Sequence, residues 1–198
     1  MIEWFHGFGI LQWTGLVAGI IYVIFAAKGK WWCWPTGLIW VICTFIISID
    51  GKLYSDAILQ VLYFGLTLFG WYNWITNNGR KSPEKPIATT SQLEWFYSFV
   101  FLVIFTIIQA KVLTQFTDTD VPYIDSLTTS MSLLATWLLA KKKIENWWIW
   151  IVVNPVYIWL YHYKNYELYS WLAVFFTIMA LVGLTQWKKI LRSQNVHN

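Results

Sequence analysis

Apolar runs of up to about twenty residues, each closed by a short polar or basic stretch, recur along the whole chain. They cover residues 11–27, 35–49, 54–75, 93–112, 123–140, 144–161 and 166–187. A helix crossing roughly 30 Å of hydrocarbon needs about 20 predominantly apolar residues. The pattern therefore predicts an all-α membrane protein with seven transmembrane helices. Most connections are tight, as at Lys28-Gly29-Lys30 and Lys141-Lys142-Lys143. The exception is residues 77–91, rich in Asn, Gly, Pro, Ser and Lys, which reads as a linker. The predicted organisation is a first three-helix repeat (1–76), a linker loop with a connecting helix (77–120), and a second three-helix repeat with a short tail (121–198).

Composition changes the picture from a large buried core to a lipid solvent. Hydrophobic residues make up 58% of the chain and charged residues 12%, where soluble domains carry about a quarter charged. A domain this small buries only roughly two-thirds of its unfolded surface, so much of that apolar surface must face lipid. The 16 Trp and 11 Tyr agree, because amphipathic rings collect at membrane interfaces.

Charge then orients the spans. One side of a seven-span chain holds Lys28, Lys30, Arg80, Lys81, Lys85, Lys141, Lys142, Lys143, Lys188, Lys189 and Arg192; the other holds only Lys52, Lys111 and Lys164. Basic short loops stay cytoplasmic, which predicts an N-terminus outside and a C-terminus inside. Six or eight spans would scatter these charges over both sides. The net charge of +4 follows from this asymmetry and calls for no nucleic-acid partner. No basic leader precedes the first apolar run, so the first span is expected to serve as its own insertion signal. Cys33 and Cys43 are too few for a disulfide framework. His6, His162 and His197 lack metal-ligand spacing, so no metal and no cofactor is expected.

The first and last three spans echo one another. Ala27-Lys28 leads to Trp32-Cys33-Trp34, and Ala140-Lys141 leads to Trp148-Ile149-Trp150. Leu53-Tyr54-Ser55 is followed later by Leu168-Tyr169-Ser170. Gly70-Trp71-Tyr72-Asn73-Trp74 is matched by Gly183-Leu184-Thr185-Gln186-Trp187, both Gly-x-x-x-Trp with an amide before the Trp. One intervening span gives both triplets the same orientation, a 3+1+3 parallel duplication of the kind that holds a substrate near the midplane.

The span interiors are almost free of charge. Asp56 and Asp125 lie near helix ends, so no midplane carboxylate is available as a proton or ion relay, and no phosphate-cradling loop for ATP is present. Facilitated diffusion is the mechanism that remains. Gln60 and Asn154 lie near mid-depth, where an unpartnered amide costs several kcal/mol. Gln60 shares a helix face with Tyr63, and Asn154 shares one with Trp150 and Tyr157. Amides flanked by aromatics suit a flat ring with a polar rim, and a cationic ring would gain roughly 0.5–2 kcal/mol from each indole face. The alternative is that buried amides merely tie helices together. Pro155 cannot donate to the carbonyl of Ile151 and is expected to bend its helix. Gly15 and Gly19 predict close helix packing.

Taken together, Leu53-Tyr54 through Leu59-Gln60-Val61, Gly70-Trp71-Tyr72-Asn73-Trp74, Asp125-Ser126, and Glu145-Asn146-Trp147-Trp148 running into Val152-Val153-Asn154 resemble the Pnu family of bacterial vitamin transporters. The Trp34-Pro35 start of the second span fits as well, and the resemblance runs from about Trp32 to Trp187. It implies a three-one-three fold like the SWEET sugar transporters, with the duplication inside one chain. It also implies uptake, across the bacterial inner (cytoplasmic) membrane, of an unphosphorylated vitamin that a cytoplasmic kinase then traps. PnuC-type members carry nicotinamide riboside, and relatives carry thiamine, riboflavin or deoxynucleosides. Gln60 and Asn154 fall on amides associated with the family's substrate site, and Trp34, Tyr63, Trp150 and Tyr157 are expected as its walls. Nicotinamide riboside is the first expectation and thiamine the alternative, both cationic aromatic solutes. A homo-oligomer remains compatible. A retinal protein would need a lysine in the seventh span, which has none. An intramembrane enzyme would need a reactive constellation at depth, which is missing. A membrane scaffold subunit is the remaining rival; all its midplane polar groups would pair with protein.

Overall fold

The computed structural model describes residues 9–50, 54–76, 86–117, 119–163 and 165–196, and there seven helices and no strand. They are α1 (Ile10–Ala27), α2 (Cys33–Asp50), α3 (Tyr54–Ile75), α4 (Gln92–Phe116), α5 (Pro122–Ala140), α6 (Asn146–Tyr163) and α7 (Glu167–Val196). Lys52, Lys164, Asp118 and the basic residues of 77–85 lie outside the described residues. Several boundaries differ from the sequence expectation, among them the end of α4 at Phe116 rather than 112. α6 begins at Asn146 rather than 144, because Lys142 turns into the left-handed region at φ 58° and the chain must recover before a helix can start. α7 runs on to Val196.

α1, α2, α4 and α7 are long and apolar enough to cross a membrane by length and composition. α4 has no separate polar face, and Phe99, Ile104, Ile107 and Ile108 are exposed along it. A helix with no polar face has no water-facing side; its solvent is lipid. α3, α5 and α6 are less apolar, and they carry the amides and the hydroxyl-rich stretch discussed below.

The chain forms two compact units, Met1–Lys85 and Pro86–Asn198, with α4 in the second. In the first, α2 packs on both α1 and α3. In the second, α6 lies between α5 and α7, and α4 packs on α5. Gly15 and Gly19 of α1 do meet α2 closely: a Cβ added to them would stand 3.1 Å from the Cys43 Cβ and from the Trp40 ring, respectively.

The internal geometry of the two units is the same motif twice. Trp34 is fully buried on the bare face of Gly70, where a Cβ would overlap its ring, and meets Trp74 edge-on at 5.4 Å and 85°. In the second unit, 113 residues on, Trp147 lies on Gly183, where a Cβ would come within 2.6 Å. It meets Trp187 at 5.6 Å and 85°. The connecting loops repeat at the same offset. Gly29 (φ 69°) and Lys142 (φ 58°) both close a helix. Their amides donate to Ala26 O and Leu139 O, while those of Lys30 and Lys143 donate to Phe25 O and Leu138 O. This is the paired bonding of a Schellman cap. The register corrects the sequence pairing: Trp34 corresponds to Trp147, not Trp150, and Tyr54 at the start of α3 corresponds to Glu167, not Tyr169. Interfacial Trp residues are so dense that pairing by residue type slipped by three positions.

The second unit carries a strap at the Lys142 loop. Ala88 bridges Lys143, its N–H donating to Lys142 O and its carbonyl accepting from Ile144 N–H. Glu145 accepts from the Thr90 N–H at 2.9 Å and from its hydroxyl at 2.7 Å. Lys143 pairs with Glu94 at 2.8 Å, and Ser91 and Glu94 form a capping box at the start of α4.

Gly70→Ala and Gly183→Ala should each lower the melting temperature of the purified protein. An extra methyl forced into a closed contact costs about 1–3 kcal/mol. Thermal melts in detergent check this, and two alanine variants as stable as the parent would contradict the lock.

Candidate functional site

Helical periodicity sets Trp150, Asn154 and Tyr157 on one face of α6. Trp150 and Tyr157 pack against a buried cluster of Leu134, Ala135, Leu138, Ile149 and Val153. The Tyr157 hydroxyl is held 3.0 Å from Ser132 Oγ of α5, and Ser132 in turn donates to Thr128 O at 2.8 Å. Tyr157 stacks on Tyr161 at 5.5 Å and 16°, and Tyr161 leans on Tyr169 of α7 at 5.7 Å. The aromatic wall is thus continuous across α6 and α7, with its first phenol fixed from α5.

Asn154 sits inside this wall, 3% exposed. Among the described residues its amide forms no hydrogen bond with protein. Other buried polar groups of the second unit are satisfied in part, and Asn146 Oδ1 is left without a partner. Asn146, fully buried, donates its amide to Lys143 O at 2.7 Å. Ser130, Ser132 and Thr136 each return a hydroxyl to the carbonyl four residues back, and Ser130 also accepts from Thr106 of α4 at 2.9 Å. Some buried atoms remain without partners, among them Ser126 Oγ, Gln109 Oε1 and the indole N–H groups of Trp34 and Trp147. The whole Asn154 amide, donor and acceptor, is without a protein hydrogen bond among the described residues, on the helix face that carries Trp150 and Tyr157. Pro155 next to it is exposed and α6 continues through it.

In the first unit Gln60 and Tyr63 are half-buried on α3, and the Gln60 amide likewise has no protein partner among the described residues. The two amides are not repeat equivalents. At the offset of the Trp–Gly lock, Gln60 corresponds to Ala173 and Asn154 to Val41. Within the first unit the Trp34 ring is buried against α3, where it packs on Gly70 and meets Trp74.

Sequence reasoning passed over Ser132, which fixes Tyr157, and the Glu145–Thr90 clasp. The first was signalled by the Ser/Thr density of residues 126–136. The second joins residues 55 apart and has no local signal.

Comparison with known proteins adds independent findings. The sequence profile described as nicotinamide mononucleotide transporter matches residues 9–189. The nicotinamide riboside transporter PnuC of Escherichia coli (strain K12) is 25% identical over 204 residues, covering 89% of this chain and 85% of that protein. The riboflavin/roseoflavin transporter RibM of Streptomyces davaonensis is 21% identical, covering 88% and 84%. The crystal structure of the vitamin B3 transporter PnuC superposes with a TM-score of 0.72 at 25% identity, over 92% of this chain and 82% of that one.

Because Asn154 contributes no hydrogen bond to protein, Asn154→Leu should melt within about 1 kcal/mol of the parent when no ligand is present. Asn146→Leu, which strands a buried carbonyl, should lose roughly 1–3 kcal/mol. Thermal melts of the ligand-free proteins compare them; equal losses would make Asn154 a structural tie.

Proposed function

The chain belongs to the nicotinamide mononucleotide transporter family, and on that premise we propose that it carries an unphosphorylated, cationic aromatic vitamin, nicotinamide riboside first, down its own gradient. As a member it is a multi-pass membrane transporter and not an enzyme. The observation that carries the substrate reading is the Asn154 amide, buried and without a protein hydrogen bond among the described residues, on the helix face that carries Trp150 and Tyr157. A carboxamide can pair with a nicotinamide carboxamide or a ribose hydroxyl through both its donor and its acceptor. The indole face attracts a pyridinium ring, which raises the affinity for a cation over a neutral analogue. Gln60 and Tyr63 make a second amide-and-ring face on α3 with the same chemistry. Trp34, packed on Gly70 and Trp74, is kept as a candidate wall within the first unit.

The family description names a mononucleotide, whereas the relatives' names specify the riboside. Electrostatics favours the riboside. Among the described residues from Ile10 to Trp187, the only lysine or arginine within a helix is Lys111, exposed on α4. A phosphate dianion taken into hydrocarbon without a paired cation would cost far more than a neutral nucleoside. Within the described helices the carboxylates lie in first or last turns: Asp50, Asp56, Glu94, Asp125 and Glu167. Nothing at mid-depth is suited to relay protons, which supports uniport, with phosphorylation after uptake making it irreversible. The inner membrane, with the N-terminus outside and the C-terminus cytoplasmic, is the location consistent with the charge bias. Thiamine, another cationic ring bearing a hydroxyl, is the competing substrate.

Calorimetric titration separates these readings. Nicotinamide riboside should bind the parent more tightly than thiamine, riboflavin or nicotinamide mononucleotide. Asn154→Leu and Trp150→Leu should each weaken it by about 5- to 150-fold, corresponding to roughly 1–3 kcal/mol. Trp171→Leu, exposed on α7, should leave it unchanged. Folded variants at Asn154 and Trp150 that bind like the parent would refute the site.

Uptake into liposomes should follow the substrate gradient and ignore an imposed pH or sodium gradient, apart from the pull of membrane potential on a cation. Accumulation of a neutral substrate driven by protons would refute uniport.

A further inference from the structure

One end of the second unit carries cations that neither the fold nor the candidate site uses. α7 has 30 residues, which at 1.5 Å per residue is about 45 Å, against roughly 30 Å of hydrocarbon. Its turns beyond Trp187 therefore reach the level of lipid phosphates. Lys188, Lys189 and Arg192 are exposed there, with Lys188 and Arg192 four residues apart on one face. Lys188 Nζ stands 5.0 Å above the ring of Trp148, which is half exposed. Lys141 Nζ stands likewise 4.7 Å above the ring of Trp137. An exposed cation over an indole is held by about 0.5–1 kcal/mol, enough to bias a flexible lysine toward one position.

These cations are not neutralised by neighbouring acids. Glu94 is taken by Lys143 and Glu145 by Thr90. Among the described residues no carboxylate lies within ion-pair reach of Lys141, Lys188, Lys189 or Arg192. Nor does the first repeat reproduce the arrangement. Lys28 stands where Lys141 does, but Ile24 replaces Trp137, Pro35 replaces Trp148 and Ile75 replaces Lys188. The shared fold does not require these pairs.

We propose that this surface binds an anionic phospholipid, its phosphate held by Lys188 and Arg192, with Trp148 fixing the lysine at the hydrocarbon edge. Charge complementarity selects the headgroup, and the lipid-facing indole selects a lipid over a soluble anion.

The test is the melting temperature of the purified full chain in detergent with added phosphatidylglycerol, phosphatidylcholine or inorganic phosphate. Phosphatidylglycerol should raise it, while phosphatidylcholine and inorganic phosphate should not. The Lys188→Gln/Arg192→Gln double variant should lose at least half of the rise, and Lys28→Gln should keep it. Native mass spectrometry gives a second readout, in which phosphatidylglycerol retained by the parent is lost from Lys188→Gln alone. A rise that survives the double variant, equal effects of the two lipids, a response to inorganic phosphate alone, or undiminished lipid retention by Lys188→Gln would each overturn the proposal.

Discussion

In hydrocarbon no water is available to satisfy a polar group, and nearly everything about this chain follows from that constraint. Backbone groups are spent inside helices. Side-chain hydroxyls are spent on the carbonyl one turn back, as at Thr44, Thr67, Thr114, Ser132 and Thr177. The α5–α6 contact then ties Ser132 to Tyr157. Against that background an amide left unpaired at depth stands out. In the proposed reading, a solute that pairs with Asn154 recovers the cost of leaving that amide unpaired.

The same constraint explains how the helices are joined. Without a hydrophobic drive between spans, association rests on close packing. Each unit achieves it by pressing an indole onto a glycine and bracing it with a second indole one turn further on. Trp34, Gly70 and Trp74 do this in the first unit, and Trp147, Gly183 and Trp187 in the second. The loops that set these helices at the right height share a left-handed residue, Gly29 or Lys142. Duplicated locks leave the remaining positions free to diverge. One repeat acquired Gln60 where the other has Ala173, and Asn154 stands where the first has Val41. The proposed substrate contacts lie at those differences.

Helix number and approximate limits were legible because span length and basic loops are long-range averages, insensitive to any one residue. The repeat was legible in order but not in register, since Trp32, Trp34, Trp147, Trp148 and Trp150 offer several pairings and only the Gly70 and Gly183 contacts choose between them. The α6 face was legible because Trp150, Asn154 and Tyr157 obey helical spacing. The packing of Trp34 on Gly70 was not, because an indole on glycine and an indole facing solute look alike in sequence. The strap from Ala88 to Glu94 was invisible for a different reason: its partners lie in a loop some fifty residues away.

The central claim is that a vitamin satisfies the Asn154 amide. A crystal structure of the protein grown with nicotinamide riboside tests it most directly. The account predicts the ligand within hydrogen-bond distance of Asn154, its pyridinium ring against Trp150 or Tyr157. A ligand bound away from α6, with the Asn154 amide paired to a protein group instead, would contradict it.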